Sequence, residues 1–211
     1  MSAPPIAALL FDLGGVLVDI DFSRALAAWA PYSKKDVSTL RSRFSFDGEY
    51  ERHERGEITA AQYFEHLARV LDLDASAQQV EAGWNSIFVG EFEATRRLVE
   101  RLRTVLPCFA FTNTNGSHME TWSRLFPEVV GAFDRIFASH QMGLRKPERA
   151  AFDAICAHTG IAASSFLFFD DLPENVQAAQ AAGLQAVLVK SHRDVAAALE
   201  AHGVRASHGE V

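Results

Sequence analysis

Cysteine is scarce in this chain, with two among 211 residues. Cys108 and Cys156 form no C-x-x-C and sit in apolar surroundings. No disulfide framework is available, so a reduced, cytoplasmic compartment is the expectation. Basic charge is also short. Twenty Lys+Arg against 27 Asp+Glu leave a formal −7, which argues against nucleic acid as a partner, since its phosphates need a basic footprint. An anionic substrate stays open, because a bound divalent cation and one or two local cations can outweigh the average. Long apolar runs are missing too. The stretch 6–18 is interrupted by Asp12 and two glycines, too short and too polar for a bilayer, and it has no basic leader, so neither a membrane span nor a signal peptide is expected. The eight histidines show no zinc-site spacing. What is plentiful is apolar residue content, 48%, enough for a large core. That excludes a disordered chain and allows one domain, or one domain with a sizeable insertion.

Short apolar runs recur along the chain: residues 6–11 (IAALLF), 108–112 (CFAFT), 165–169 (SFLFF), 185–189 (QAVLV) and, more weakly, 135–138 (RIFA). Such runs fit strands buried on both faces. Helical patterns lie between them, at 93–105, 117–126, 148–158, 174–182 and 194–201. Alternating strands and helices predict an α/β fold, a Rossmann-like parallel sheet with helices on both faces. Pro147 and Pro173 stand where helices would begin, and Gly160 and Gly183 where they would end. The tail from Gly203 is expected to fray.

One segment breaks the alternation. From about Asp21 to Val89 there is no good strand, but helical patterns occupy 22–30, 35–44, 60–71 and 77–88. About 70 residues is far more than one crossover needs. The expected organisation is therefore a core of 1–18 and 90–211, with a helical cap of 19–89 inserted over the sheet. An N-terminal helical domain with a mis-assigned first strand is the alternative.

Ligands of open parallel sheets sit at the carboxyl ends of the strands, so the residues just after each run matter most. These are Asp12-Leu13-Gly14-Gly15, then Thr112-Asn113-Thr114-Asn115, then Arg145-Lys146-Pro147, then Asp170-Asp171 with Asn175 beyond. Each has a plain structural reading: a turn aspartate, helix N-caps, a solvated lysine. Together they gather carboxylates, a hydroxyl, an amide and a lysine on one sheet edge. Clustered carboxylates repel unless a cation is present, and hard oxygen ligands suit Mg²⁺. Trp29, Trp84 and Trp122 read as packing, and His118 as a helix-surface residue.

The four ordered motifs, Phe11-Asp12-Leu13-Gly14-Gly15-Val16-Leu17, Phe111-Thr112-Asn113, Arg145-Lys146-Pro147 and Phe168-Phe169-Asp170-Asp171, resemble those of the haloacid dehalogenase-like (HAD) hydrolases. The insertion after the first motif matches the subclass with an α-helical cap. Within it, Val18-Asp19-Ile20-Asp21, His53-Glu54-Arg55-Gly56-Glu57-Ile58 and Thr112-Asn113-Thr114-Asn115 are similar to the bacterial α-D-glucose-1-phosphate phosphatase group. The resemblance implies Asp12 as nucleophile, forming an aspartyl-phosphate. It implies Mg²⁺ held by Asp12, the Gly14 carbonyl and Asp171, with Asp170 orienting bound water. Thr112 and the Asn113 N–H would hold phosphoryl oxygens, and Lys146 would neutralise charge. The partner it implies is a small phosphorylated metabolite, a sugar phosphate such as glucose 1-phosphate, acted on by a monomer or weak dimer.

The sequence departs from the family at Gly14, where its phosphatases usually carry a second aspartate that protonates the leaving oxygen. Positioned proton transfer contributes about 10²–10⁴-fold. Three readings follow. The leaving group is acidic enough to need little help, or His53 or Glu54 of the cap serves (against a plain reading of both as a solvated helix end), or the reaction is not phosphate release. The last admits a 2-haloacid dehalogenase or a catalytically weakened phosphate-binding protein. Metal-independent dehalogenases typically carry an aromatic residue at the Gly14 position, so Asp170-Asp171 favours the phosphatase.

Overall fold

The computed structural model describes residues 4–205. The part of the expected frayed tail from 206 onward lies outside them; up to 205 the tail still contributes, with Val204 packed on the core.

Five parallel strands form the central sheet: β1 (Ala8–Phe11), β4 (Cys108–Thr112), β5 (Arg135–Ala138), β6 (Phe166–Asp170) and β7 (Gln185–Leu188), in the order β5-β4-β1-β6-β7. All four residues of β1 and all five of β6 are buried, which is why they read as unbroken apolar runs rather than alternating ones. The alternation is present, but it sorts residues between two covered faces. Leu9, Phe11, Ala110, Leu167 and Phe169 join one core cluster; Ala8, Leu10, Phe111, Phe166 and Phe168 join the other. Phe11 stacks on Phe169, ring centroids 4.7 Å apart, locking the register in which Phe11 pairs with Ala110 and Phe169. The helices α6 (Glu93–Leu102), α7 (Gly116–Leu125), α8 (Pro127–Gly131), α9 (Ser139–Met142), α10 (Arg149–Thr159), α11 (Pro173–Ala181) and α12 (His192–Ala201) complete the layers. Pro173 does open α11, whereas α10 starts at Arg149, two residues past Pro147.

Between β1 and α6 the chain builds five α-helices: α1 (Phe22–Trp29), α2 (Val37–Arg43), α3 (Gly48–Glu54), α4 (Ala60–Leu71) and α5 (Ala77–Trp84). Thr59 and Ser76 close capping boxes with Gln62 and Gln79, which satisfies the first free N–H groups of α4 and α5. Their apolar stripes converge on a separate core that includes Trp29, Leu40, Tyr63, Leu67 and Trp84. The Trp29 indole donates to the Val80 carbonyl at 3.0 Å and lies so close to α5 that a Cβ on Gly83 would sit 2.1 Å from its Nε1. Only glycine permits that approach.

Two expectations are corrected here. The insertion is not free of strands at its margins. β2 (Val18–Ile20) and β3 (Phe88–Glu91) pair antiparallel, Val18 opposite Glu91, and join the two crossings into one ribbon. The pattern over 77–88 therefore ends as a helix at Trp84. Helix α3, which the sequence pattern missed, starts at Asp47, whose side chain caps Tyr50 N–H. No described helix is long and apolar enough to cross a membrane. Both cysteines are free, and Cys108 is buried, which pushes its thiol up to about 12.

Candidate active site

Parallel strands deliver their carboxyl ends to one edge. Asp12 follows β1, Thr112 ends β4 and Asp170 ends β6, so two carboxylates and a hydroxyl meet without any long loop. The turn after Asp12 depends on glycine. Gly15 has φ +73°, and a Cβ there would lie 2.2 Å from Asp171 Oδ2; only glycine lets the backbone pass so near that carboxylate. Gly14 is different. Its φ is not left-handed, and an added Cβ would meet only the tip of Ile20, at 3.1 Å.

Lys146 is the electrostatic centre. It is 1% exposed, with Nζ 2.7 Å from Asp12 Oδ1 and 2.8 Å from Asp170 Oδ2, above the Phe111 and Phe168 rings. The solvated-loop reading of this lysine is thus overturned. Burial opposes its charge, but Asp12 and Asp170 outweigh that and raise its pKa. Its backbone is fixed by the Asn113 amide, which donates to Lys146 O at 2.9 Å and accepts from Lys146 N at 2.8 Å. Asp170, fully buried, uses its other oxygen for the Leu172 N–H and the Asn175 amide, both 2.9 Å. The carboxylates of Asp12, Asp170 and Asp171 offer oxygens within 4.8 Å of one another. Burial lifts Asp12 to about 7, against the pull of Lys146 and with a further push from Asp170 and Asp171. Asp171 is raised by burial and by Asp170. Three carboxylates face one lysine, and the residual negative charge with its hard oxygen donors fits a divalent cation such as Mg²⁺.

Above this edge opens a cavity of about 550 Å³. Asp12, Thr112, Asn113, Lys146 and Asp171 form its floor, and Phe22, Phe46, Tyr50, Glu51 and Glu54 come from the helical insertion. The insertion is tied down by ion pairs. Arg145 reaches Glu54 at 2.8 Å and Glu51 at 3.2 Å, and Arg55 donates to Glu148 at 2.7 Å.

Several expectations change. His53 and Glu54 are not a solvated helix end; they are 3% and 2% exposed. Glu54 faces the cavity, its carboxyl pushed up by burial and held back by Arg145. His53 stacks on Tyr63 instead, is not among the cavity residues, and is driven down to about 4 by burial. His118 is not on the surface. It is stacked on Trp84 at 4.4 Å, 3.0 Å from the Trp84 carbonyl through Nε2, and depressed by burial to about 3, so it is a neutral ring bordering the cavity. Trp29 and Trp84 are packing, as expected. Trp122 packs too, but it also borders the cavity. Neither Thr112 nor Asn113 caps α7; Asn115 does, accepting from His118 N at 3.0 Å. Tyr50 and Glu51 were not singled out, because no local pattern marks a residue that reaches the cavity only through a long-range contact.

A carboxylate paired with a buried lysine thus lies beside two further carboxylates at the carboxyl edge of a parallel sheet. The chain belongs to the haloacid dehalogenase-like hydrolase family, whose description as a hydrolase matches residues 6–183. It is 24% identical over 184 residues to D-ribitol-5-phosphate phosphatase of Bacteroides thetaiotaomicron, covering 84% of this chain and 88% of that one. It is 27% identical over 186 residues to a sesquiterpene phosphatase of Aspergillus oryzae, covering 84% and 86%. Among solved structures it is similar to a HAD-family enzyme of B. thetaiotaomicron in complex with magnesium and inorganic phosphate, with TM-score 0.78, 29% identity, and 88% and 95% of the two chains covered.

Proposed function

We propose that this hydrolase is a Mg²⁺-dependent phosphatase of small phosphomonoesters, acting through an aspartyl-phosphate on Asp12. One observation carries the reading: the buried Lys146 bridge between Asp12 and Asp170, with Asp171 alongside, beneath a cavity of substrate size. The magnesium–phosphate complex of the B. thetaiotaomicron relative supports it.

Asp12, Asp171 and the Gly14 carbonyl would hold Mg²⁺. Asp170, whose oxygens are occupied by Lys146, Leu172 and Asn175, suits orienting bound water rather than direct ligation. When bound, the ion supplies charge neutralisation and a fixed position for the phosphoryl group. Asp12 attacks phosphorus in line, the bond to the leaving oxygen breaks, and that oxygen takes a proton from solvent water. Water then attacks phosphorus, releasing phosphate and restoring the carboxylate. Thr112 hydroxyl and the Asn113 N–H serve the phosphoryl oxygens. Commitment of the Asn113 side chain to the Lys146 backbone is consistent with using its main chain. Lys146 favours the ionised form of Asp12 against the effect of burial and balances the phosphoryl charge, so catalysis is positioning and electrostatics.

No acid stands at Gly14, and Ile20 fills the neighbouring space. That favours leaving groups that depart readily, such as the anomeric oxygen of a sugar 1-phosphate, glucose 1-phosphate among them. A sugar-alcohol phosphate relative is in keeping with a polyhydroxylated substrate. A 2-haloacid would need a cation for its carboxylate, whereas Arg145 and Lys146 are already ion-paired. The test is phosphate release from a panel of sugar phosphates with Mg²⁺ and with a chelator. Mg²⁺-dependent turnover supports the reading. Metal-independent halide release, or phosphate binding without turnover, contradicts it.

A further inference from the structure

The half of the cavity beyond the catalytic edge has a one-sided charge. The cationic side chains among its described lining residues are Arg145 and Lys146. Lys146 is held between Asp12 and Asp170. Arg145, 15% exposed at its side chain, is held by Glu54 at 2.8 Å and Glu51 at 3.2 Å. Glu51, Glu54 and Glu174 all face the same space. Ile20, Phe22, Phe46 and Phe88 give the wall an apolar stretch, and Tyr50, Thr114 and His118 line it with uncharged polar groups. A second anionic group on a substrate would meet three carboxylates and no unpaired cation. To recruit Arg145 it would have to break two ion pairs and leave Glu54, 2% exposed, buried without its partner, which is costly.

We infer that this cavity selects monoesters whose leaving group is uncharged, and that it rejects substrates carrying a carboxylate or a second phosphate beside the scissile one. The inference rests on the phosphatase reading and narrows it. Rejection comes from a built-in repulsive element rather than from added attraction to the correct substrate. Glu51 and Glu54 lie one helical turn apart on α3, so both point from one face of that helix. Their pairing with Arg145 uses up the one cation that could have read an acid. Neutral polyols and apolar alcohols both satisfy the selection.

The experiment compares kcat/KM within matched pairs at saturating Mg²⁺: glycerol 3-phosphate against 3-phosphoglycerate, and phenyl phosphate against 4-carboxyphenyl phosphate. Disrupting one buried pair corresponds to about 10²–10⁴-fold, so the acid of each pair should be at least about tenfold poorer. Two variants address the cause, Glu54→Gln and the more exposed Glu51→Gln. Each weakens a hold on Arg145, and each should raise the acid-to-neutral ratio of kcat/KM several-fold. Acids turned over as well as their neutral partners would overturn the inference, as would a ratio unmoved in both variants. Failure to hydrolyse any of the four compounds would instead overturn the phosphatase reading, and the inference with it.

Discussion

Replacing Lys146 with Met keeps the length of the side chain and removes its charge. At an effective dielectric of about 20, an ammonium 2.7 Å from one carboxylate and 2.8 Å from another gains about 6 kcal/mol from each before desolvation is subtracted. Burying the ammonium cancels much of that, and removal of one partner from a buried ionic group typically costs about 3–5 kcal/mol. For a chain of this size that is a fall in Tm of about 6–20 °C. The loss should depend on pH, with a definite sign. Burial already lifts the Asp12 carboxyl to about 7 from 3.8, with Lys146 pulling it down. Without the lysine it rises further. A group whose folded pKa is raised favours the folded state below its unfolded pKa and loses that contribution as pH climbs through the folded value. The variant's deficit should therefore begin to grow as pH passes about 7, where the parent's Asp12 ionises and the variant's does not, by up to about 1.4 kcal/mol per pH unit. Thermal unfolding of both proteins by circular dichroism, in chelator, across pH 5–8 measures it. A deficit under about 1 kcal/mol, or one that does not grow above pH 7, would refute the reasoning that the Lys146 ammonium offsets the burial of the carboxylates it bridges.

His118→Gln should reduce the acid sensitivity of the fold. A ring depressed from 6.5 to about 3 contributes stability above pH 6.5 that is lost as pH falls toward 3, on the order of 4 kcal/mol in full; a variant losing stability as steeply as the parent between pH 6.5 and 4 would contradict this. Asp171→Ala should weaken Mg²⁺ binding more than Asp170→Ala, whose effect through bound water is expected to be about 10–100-fold. Calorimetric titration of both decides, and a reversed order means the two roles are exchanged. Gly14→Asp should fold and bind Mg²⁺, because Gly14 is not in the left-handed region and its Cβ meets only a side-chain tip. It should gain more on sugar 6-phosphates than on sugar 1-phosphates, within the roughly 10²–10⁴-fold of general acid catalysis. An unchanged ratio would show that another group already supplies the proton.

The floor of the site was legible in the sequence because parallel strands advertise themselves twice, as doubly buried apolar runs and as the polar residues that must follow them at the sheet edge. Asp12, Thr112, Asp170 and Asp171 stand at strand ends and were singled out that way, Lys146 only through the motif that contains it, and the strand Arg135–Ala138 was placed to the residue. The cavity wall was far less legible. Helix α3 has almost no apolar periodicity (GEYERHE), begins with glycine and is marked only by its Asp47 cap and the stop at Gly56. Its Glu51 and Glu54 acquire meaning from Arg145, about ninety residues away. His118 looked like a surface residue because α7 is polar; the flat face of Trp84, contributed by α5, makes it a buried one. The β2–β3 ribbon is three residues against four, too short for a period-2 pattern to register.

The central claim is that Asp12 carries the phosphoryl group between the two halves of the reaction. The direct measurement is an acid quench of the enzyme during steady-state turnover with Mg²⁺, followed by proteolysis and mass spectrometry of the peptide containing Asp12. The account predicts one added phosphoryl group on Asp12, lost when the substrate is exhausted, and neither label nor phosphate release in a folded Asp12→Asn variant. Turnover by that variant, or a phosphoryl group found on a different residue, would contradict it.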